Sequence, residues 1–185
     1  LVISEFPDPN QRVRILAVPE KLIVYTTSLD LDNSIYEGVS TITVKGIRET
    51  PDMKTTNYNV CLDAWTKAEK MGCFEAILTD EDGHVFEGSR SNIFWVKNGE
   101  IFTRKGDVLP GITRQTVITN SPVTVSFDKL NQNEFESLDE LFLTNSGSGV
   151  VPIIKVNSAP IGDGNPGPIT QQLKTIYKEW LKNEI

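Results

Sequence analysis

The sequence predicts a mixed α and β fold in which short hairpins dominate and the sheet is largely antiparallel. Short segments rich in β-branched and aromatic residues alternate with the pairs Asp82-Gly83 and Asn98-Gly99. Such pairs are strong hairpin signals, because they supply the positive φ angles that a tight turn requires. Elsewhere the apolar residues take the spacing of amphipathic helices. The predicted class is therefore α+β, hairpin-rich, with helices packed on the sheet.

The strands are predicted from alternating or continuously apolar β-rich runs that end at turn residues. They are residues 11–17, 22–27, 40–45, 74–79, 84–87, 92–96, 101–103, 123–127, 140–144 and 150–155.

Three helices are predicted. The first spans about 58–71, because one helical face is apolar and Gly72 is well placed just past its end. The last spans about 168–182 and is opened by Pro168, a residue favoured at the first helical position. A third begins near Ile112 but meets Pro122 after about two turns. Either that helix is short, or residues of the natural protein are missing near 118–123.

Composition restricts the function. With 185 residues, of which 38% are apolar and 23% charged, the chain fits one soluble domain and a small part of another. A net charge of −7 argues against nucleic-acid binding, and no apolar run is long enough to span a membrane. Two cysteines indicate a reducing compartment, which favours a cytoplasmic location. A single histidine, His84, gives a metal site little support, so none is expected.

Four places could carry chemistry. Lys54 precedes the first helix and Glu87 ends a strand, yet each residue alone is better explained as an ordinary surface or strand-end group. Residues 109–114 form a Pro-Gly turn into a helix whose first N–H groups can bind an anion. Residues 143–149 end a strand in small and hydroxylic residues whose backbone can also wrap an anion. Together their order and spacing are more informative than any one of them.

The series of segments is similar to that of a known family. The segments are Lys54-Thr55-Thr56-Asn57-Tyr58, Glu87-Gly88-Ser89-Arg90-Ser91-Asn92-Ile93-Phe94, Leu109-Pro110-Gly111-Ile112-Thr113-Arg114, Thr144-Asn145-Ser146-Gly147 with Val151-Pro152, and Gly162-Asp163-Gly164. They resemble the class IV (fold-type IV) pyridoxal 5′-phosphate (PLP) enzymes, nearest the D-amino acid aminotransferase and 4-amino-4-deoxychorismate lyase branches. The match runs from about residue 12 to the C-terminus.

The resemblance implies roles for individual residues. Lys54 would bind PLP covalently and carry the proton between substrate and cofactor, and Glu87 would pair with the protonated pyridine nitrogen. The other implied cofactor contacts comprise ring packing by Leu109, phosphate binding around the turn and helix start, and an approach to the ring hydroxyl by Tyr58. The implied phosphate ligands are Gly111, Ile112, Thr113 and Ser146. Gly147 and Ser148 would bind the substrate carboxylate through backbone N–H groups.

Two enzymatic reactions remain open. An aminotransferase would pass an amino group between an amino acid and a keto acid, whereas the lyase would release pyruvate and 4-aminobenzoate. The Lys54-to-Asn57 spacing and the Thr144-Asn145-Ser146 run resemble the D-amino acid transaminase and lyase branches, while Tyr58 and the tail at 162–170 resemble aminotransferases. The aminotransferase is the preferred hypothesis. A non-catalytic relative or inactive fragment is the third possibility.

The family also has a smaller N-terminal domain that contributes an arginine to phosphate binding, and no equivalent is found here. The chain opens at Leu1 rather than at a methionine, which favours a fragment or a processed chain. Residues 1–45 are therefore expected to be a remnant of, or junction with, that domain, and 46–185 the large PLP-binding domain. The resemblance further implies a homodimer, since family members build their sites from both subunits.

Overall fold

The computed structural model of the protein describes residues 4, 6, 7 and 10–184. Its chain divides into two compact units between Asp32 and Asn33. The first unit contains one antiparallel hairpin, formed by β1 (Gln11–Val18) and β2 (Lys21–Ser28). Both strands were predicted from their β-rich sequences, and both are confirmed.

The second unit is built on a nine-stranded sheet. Its strands are β3 (Val39–Lys45), β4 (Glu75–Thr79), β5 (Val85–Gly88), β6 (Asn92–Lys97), β7 (Glu100–Thr103), β8 (Val125–Phe127), β9 (Glu140–Asn145), β10 (Gly149–Val156) and β11 (Ala159–Pro160). The order is β5-β4-β3-β10-β9-β6-β7-β8, with β11 paired to β10. Among the described strands of this sheet, β3 runs parallel to both of its neighbours and β8 runs parallel to β7, while the other pairs are antiparallel. The predicted largely antiparallel sheet is confirmed, and the short β11 was not predicted.

Three α-helices accompany the sheet: α1 (Asn59–Lys70), α2 (Ile112–Asn120) and α3 (Pro168–Glu184). Gly72 takes a φ of +70° just past the end of α1, as its predicted position requires. Helix α2 has nine residues and ends before Pro122, so it is short in this chain. Two 3-10 turns, Asn33–Glu37 and Gln132–Ser137, were not predicted. No helix among the described residues is long and apolar enough to cross a membrane.

The core lies on both faces of the central strands β6 and β9. Phe94 and Phe142 are fully buried and stack with their ring centroids 4.9 Å apart, on the face that also receives Leu173 of α3. Ile93 and Leu143 point to the opposite face and belong to a second buried cluster. Because alternate residues of a strand point to opposite faces, this continuous apolar sequence is that of a strand covered on both sides.

Strand pairing brings several of the predicted segments to one end of the sheet. Strand β9 is antiparallel to both β6 and β10, so Asn92 pairs with Thr144 and Gly149 pairs with Asn145. Strands β5 and β6 are in contact although they lie far apart in the strand order, which shows that the sheet curls. The turn between β5 and β6 therefore lies near the turn between β9 and β10.

Candidate active site

The acidic residue among the predicted site residues is Glu87, near the end of β5. Glu87 is only 4% exposed. Its Oε1 accepts a hydrogen bond from Arg48 Nη1 at 3.2 Å, and its Oε2 accepts one from the backbone N–H of Leu109 at 3.0 Å. Burial raises the pKa of Glu87 above its ordinary value, and the bonds from Leu109 and Arg48 oppose that rise. The result is a buried carboxylate aligned by one cation and one backbone donor.

Arg48 connects this carboxylate to the loop that carries Lys54. Besides Glu87, the guanidinium donates to the carbonyl oxygens of Pro51 at 3.2 Å and Met53 at 2.5 Å. Lys54 follows Met53 directly and is exposed. Arg48 was not predicted as a site residue, since an isolated arginine after a strand belongs to no motif. A buried carboxylate needs a cationic partner, and a search for that partner is what could have pointed to Arg48.

Tyr58 lies against the turn that follows Glu87. Its hydroxyl donates to the carbonyl oxygen of Ser89 at 3.0 Å. Burial raises the pKa of Tyr58 to about 12, so the hydroxyl is protonated at neutral pH. Tyr58 therefore lies beside the turn that follows Glu87. Its approach to a cofactor hydroxyl stays a prediction.

The segment Leu109–Thr113 forms a tight entry into α2. A side chain at Gly111 would place its Cβ 2.2 Å from Asn92 Oδ1, so any other residue there would force the Asn92 side chain to move. Asn92 Nδ2 in turn donates to the carbonyl oxygen of Leu109 at 2.8 Å. The N–H groups of Ile112 and Thr113 lie in the first helical turn, which has no intrahelical acceptors. Such a helix start can bind an anion, and the phosphate site at Ile112 and Thr113 stays a prediction.

The turn between β9 and β10 differs from the expectation in one respect. The N–H groups of Gly147 and Ser148 donate to Asn145 Oδ1 at 2.9 and 2.8 Å, and Ser148 Oγ donates to the same oxygen at 3.0 Å. Ser146, which lies between Asn145 and Gly147 in the chain, is exposed. A carboxylate bound by Gly147 and Ser148 would therefore have to displace the Asn145 side chain, and their role stays a prediction.

One side chain of α3 touches both of the segments that are predicted to bind anions. Tyr177 is 8% exposed, and its hydroxyl lies 3.3 Å from Thr113 Oγ1. Its ring packs on the backbone of Gly149, where an added Cβ would lie 2.7 Å from Tyr177 Cε1. Tyr177 was predicted only as part of the apolar stripe of the last helix. Its contacts hold the start of α2 and the β9–β10 turn against the same helix.

The fold and the order of these segments define the class of protein. The crystal structure of the branched-chain amino acid aminotransferase from Thermobaculum terrenum in its PLP form matches with a TM-score of 0.80 and 26% sequence identity, over 89% of this chain and 57% of that one. The architecture is that of the fold-type IV aminotransferases.

The sequence profile described as amino-transferase class IV matches residues 9–156. The chain belongs to the class IV aminotransferase family. A probable branched-chain-amino-acid aminotransferase of Aquifex aeolicus is 38% identical over 128 residues, which cover 66% of this chain and 41% of that protein. The D-alanine aminotransferase of Bacillus licheniformis is 33% identical over 155 residues, covering 80% of this chain and 54% of that protein. The chain thus spans about half or less of the length of these relatives.

Proposed function

We propose that the protein is a PLP-dependent aminotransferase that acts on an amino acid and a keto acid, with Lys54 as the catalytic amine. The observation that carries the proposal is the buried carboxylate of Glu87, held by Arg48 and by the Leu109 N–H group. The same family includes the branched-chain and D-alanine aminotransferases to which this chain is similar. Amino acid substrates are therefore expected.

The residues present fit the chemical groups of PLP. The Glu87 carboxylate suits a protonated pyridine nitrogen, because a buried anion favours the charged form of a nearby base. The N–H groups of Ile112 and Thr113 and the Ser146 hydroxyl suit a phosphate, which a helix N-terminus favours. Leu109, whose N–H group donates to Glu87, is expected to pack on the ring, and Gly111 is expected to lie beside the phosphate.

When bound, PLP supplies an electron sink for the negative charge that forms at the substrate Cα. The residues of this chain then have separate tasks. The exposed Lys54 amine would hold the cofactor and, once freed by substrate, would take the proton from the substrate Cα. Glu87 keeps the ring nitrogen protonated, and Arg48 keeps Glu87 aligned.

The substrate carboxylate is expected at the N–H groups of Gly147 and Ser148. In the structure Asn145 Oδ1 accepts both of these donors, so substrate binding exchanges one oxygen acceptor for another. That exchange preserves the hydrogen bonds of both amides, which makes it energetically feasible.

The remaining proposals concern the whole protein. The resemblance favours a homodimer and a division into residues 1–45 and 46–185, and the low cysteine content favours a cytoplasmic location. The described units divide earlier, at Asp32, and β3 pairs with β4 and β10 of the large sheet. Strand β3 therefore belongs to the larger of the two units, and the assignment of residues 1–45 to a junction stays a proposal.

The test separates the two reactions. The purified protein is mixed with PLP, and the visible absorbance of the lysine-bound cofactor is compared in wild type, Lys54→Ala and a control variant at another exposed lysine, Lys105→Ala. The protein is then given D-alanine, L-glutamate or a branched-chain amino acid, and in parallel aminodeoxychorismate. Conversion to the pyridoxamine form by an amino acid supports the proposal. Rapid release of pyruvate and 4-aminobenzoate would instead establish the lyase, and no absorbance change in wild type would indicate a non-catalytic relative.

A further inference from the structure

A second carboxylate, Glu75 at the start of β4, is completely buried. Burying an ionised carboxylate is unfavourable unless several donors replace its water. Glu75 Oε1 accepts hydrogen bonds from the N–H of Ala76 at 2.9 Å and from the Ser89 hydroxyl. Its Oε2 accepts the N–H of Arg90 at 3.2 Å and the Ser91 hydroxyl at 3.0 Å. Both oxygens are therefore fully engaged.

Three of these four donors belong to the turn that directly follows Glu87. Ser89, Arg90 and Ser91 lie in a segment that carries the family resemblance, yet the proposed function gives them no task. The turn closes tightly around the carboxylate, because a Cβ at Gly88 would lie 2.1 Å from Ser91 Oγ and 3.2 Å from Glu75 Cδ. The turn is thus built around Glu75.

The Arg90 side chain fixes the same turn to α1. Its guanidinium lies 4.6 Å from the ring centre of Trp65, donates to the carbonyl oxygen of Phe74 at 2.8 Å, and places Nε 3.9 Å from Glu75 Oε2. On the other side, the Tyr58 hydroxyl donates to the carbonyl oxygen of Ser89. The turn is held from both directions, with the Glu75 carboxylate at its centre.

Strand pairing by itself does not determine the direction of Glu87. Strands β4 and β5 pair at Ile77 with Gly88 and at Thr79 with Val85, and the register shifts between these two pairs. Glu87 lies within that shift. An irregularity of this kind re-aims side chains, so other contacts must select the orientation.

We propose that Glu75 is a positioning residue, which fixes the turn 88–91 and thereby the direction of the Glu87 carboxylate toward the cofactor nitrogen. This inference rests on the proposed function. It predicts that replacing Glu75 changes the titration of a bound cofactor although Glu75 itself does not touch the cofactor.

Glutamine is a sharp probe of this role. Each oxygen of Glu75 accepts one backbone N–H, from Ala76 or from Arg90, and a backbone N–H cannot become an acceptor. In Glu75→Gln, whichever way the amide turns, its NH₂ group faces one of these donors. Glu140→Gln is the matched control, because Glu140 is also buried and accepts the Ile169 and Thr170 N–H groups at 2.9 and 2.7 Å, at the start of α3.

The first measurement needs no cofactor. Amide hydrogen exchange is followed in wild type, Glu75→Gln and Glu140→Gln. We expect exchange at residues 88–91 to rise about tenfold or more in Glu75→Gln while the start of α3 is unchanged, and the reverse pattern in Glu140→Gln. Unchanged exchange at 88–91 in Glu75→Gln would overturn the proposal. If that variant fails to fold, Ser89→Ala and Ser91→Ala each remove one donor to the same carboxylate and are expected to raise exchange at 88–91 to a smaller extent.

The second measurement adds PLP and follows the pH dependence of its visible absorbance. The expected result is a displaced pH midpoint in Glu75→Gln and a wild-type midpoint in Glu140→Gln. Glu75→Gln also removes a neighbouring charge that raises the pKa of Glu87. Ser91→Ala keeps that charge while it loosens the turn, so it is expected to displace the midpoint as well. A wild-type midpoint in both Glu75→Gln and Ser91→Ala would overturn the positioning role. No visible band in wild type would instead refute the proposed function and the positioning role that rests on it.

Discussion

Replacement of Arg48 by methionine should destabilise the protein strongly at neutral pH, because it leaves the Glu87 carboxylate buried without its cation. The two side chains are only 10% and 5% exposed, and Arg48 Nη1 lies 3.2 Å from Glu87 Oε1. At an effective dielectric constant of about 20, charges at that separation attract by roughly 5 kcal/mol. Breaking a buried pair by removing one partner typically costs about 3–5 kcal/mol. We therefore expect a loss of roughly 3 kcal/mol or more in the free energy of unfolding.

The effect should depend on pH in a defined direction. Burial already raises the pKa of Glu87 in the folded protein, and loss of Arg48 removes an interaction that opposes this rise. The unpaired charge therefore disappears as the pH falls through the raised pKa, since the carboxyl group becomes protonated in the folded state. The difference between variant and wild type should be fully present near pH 8 and should shrink toward about pH 5.

Urea unfolding of Arg48→Met at these two pH values measures the effect. The matched control is Lys45→Met, which removes a shorter ion pair: Lys45 Nζ lies 2.7 Å from Glu81 Oε2, but the two side chains are 63% and 83% exposed. Exposed pairs contribute little because water and salt screen them, so this control should change stability much less. Equal losses in the two variants, or a loss in Arg48→Met that does not vary with pH, would refute the reasoning.

Three further changes have defined outcomes. Gly111→Ala places a methyl group 2.2 Å from Asn92 Oδ1, so it should lower the free energy of unfolding by about 1–3 kcal/mol in urea titrations and weaken phosphate binding measured by calorimetry. Phe142→Ala removes a fully buried ring stacked on Phe94 and should cost about 3–5 kcal/mol in the same titrations; a loss below about 1 kcal/mol would contradict the described packing. Burial raises the pKa of Cys61 to about 11, so iodoacetamide should label it at least tenfold more slowly in the native than in the urea-unfolded protein, in a variant in which it is the only cysteine.

The elements that the sequence predicts well are those with local causes. The hairpin turn at Asn98-Gly99 has φ values of +54° and +75°, which these residue types favour by themselves. The short α2 follows from Pro122, and the stripe of α3 follows from helical spacing. The parallel placement of β3 between β4 and β10 has no such local cause, because it depends on strands that are distant in sequence.

The same distinction applies to the candidate site. Gly111 and the helix start at Ile112 were found from adjacent residues. The roles of Arg48 and Glu75 were not found, because each depends on partners from another part of the chain. Arg48 donates to Glu87, and Glu75 accepts hydrogen bonds from the turn 88–91. A charged residue next to a strand is usually exposed, so only the assembled fold shows that these two are buried among donors and acceptors.

Binding of PLP at Lys54 is the proposal on which the other residue assignments depend. Its most direct test is to incubate the purified protein with PLP, reduce the mixture with sodium borohydride, and locate the added pyridoxyl group by mass spectrometry of peptides. Predominant labelling of the peptide that contains Lys54, and its loss in Lys54→Ala but not in Lys105→Ala, is the predicted result. Labelling distributed over several exposed lysines, and unchanged in Lys54→Ala, would contradict the assignment.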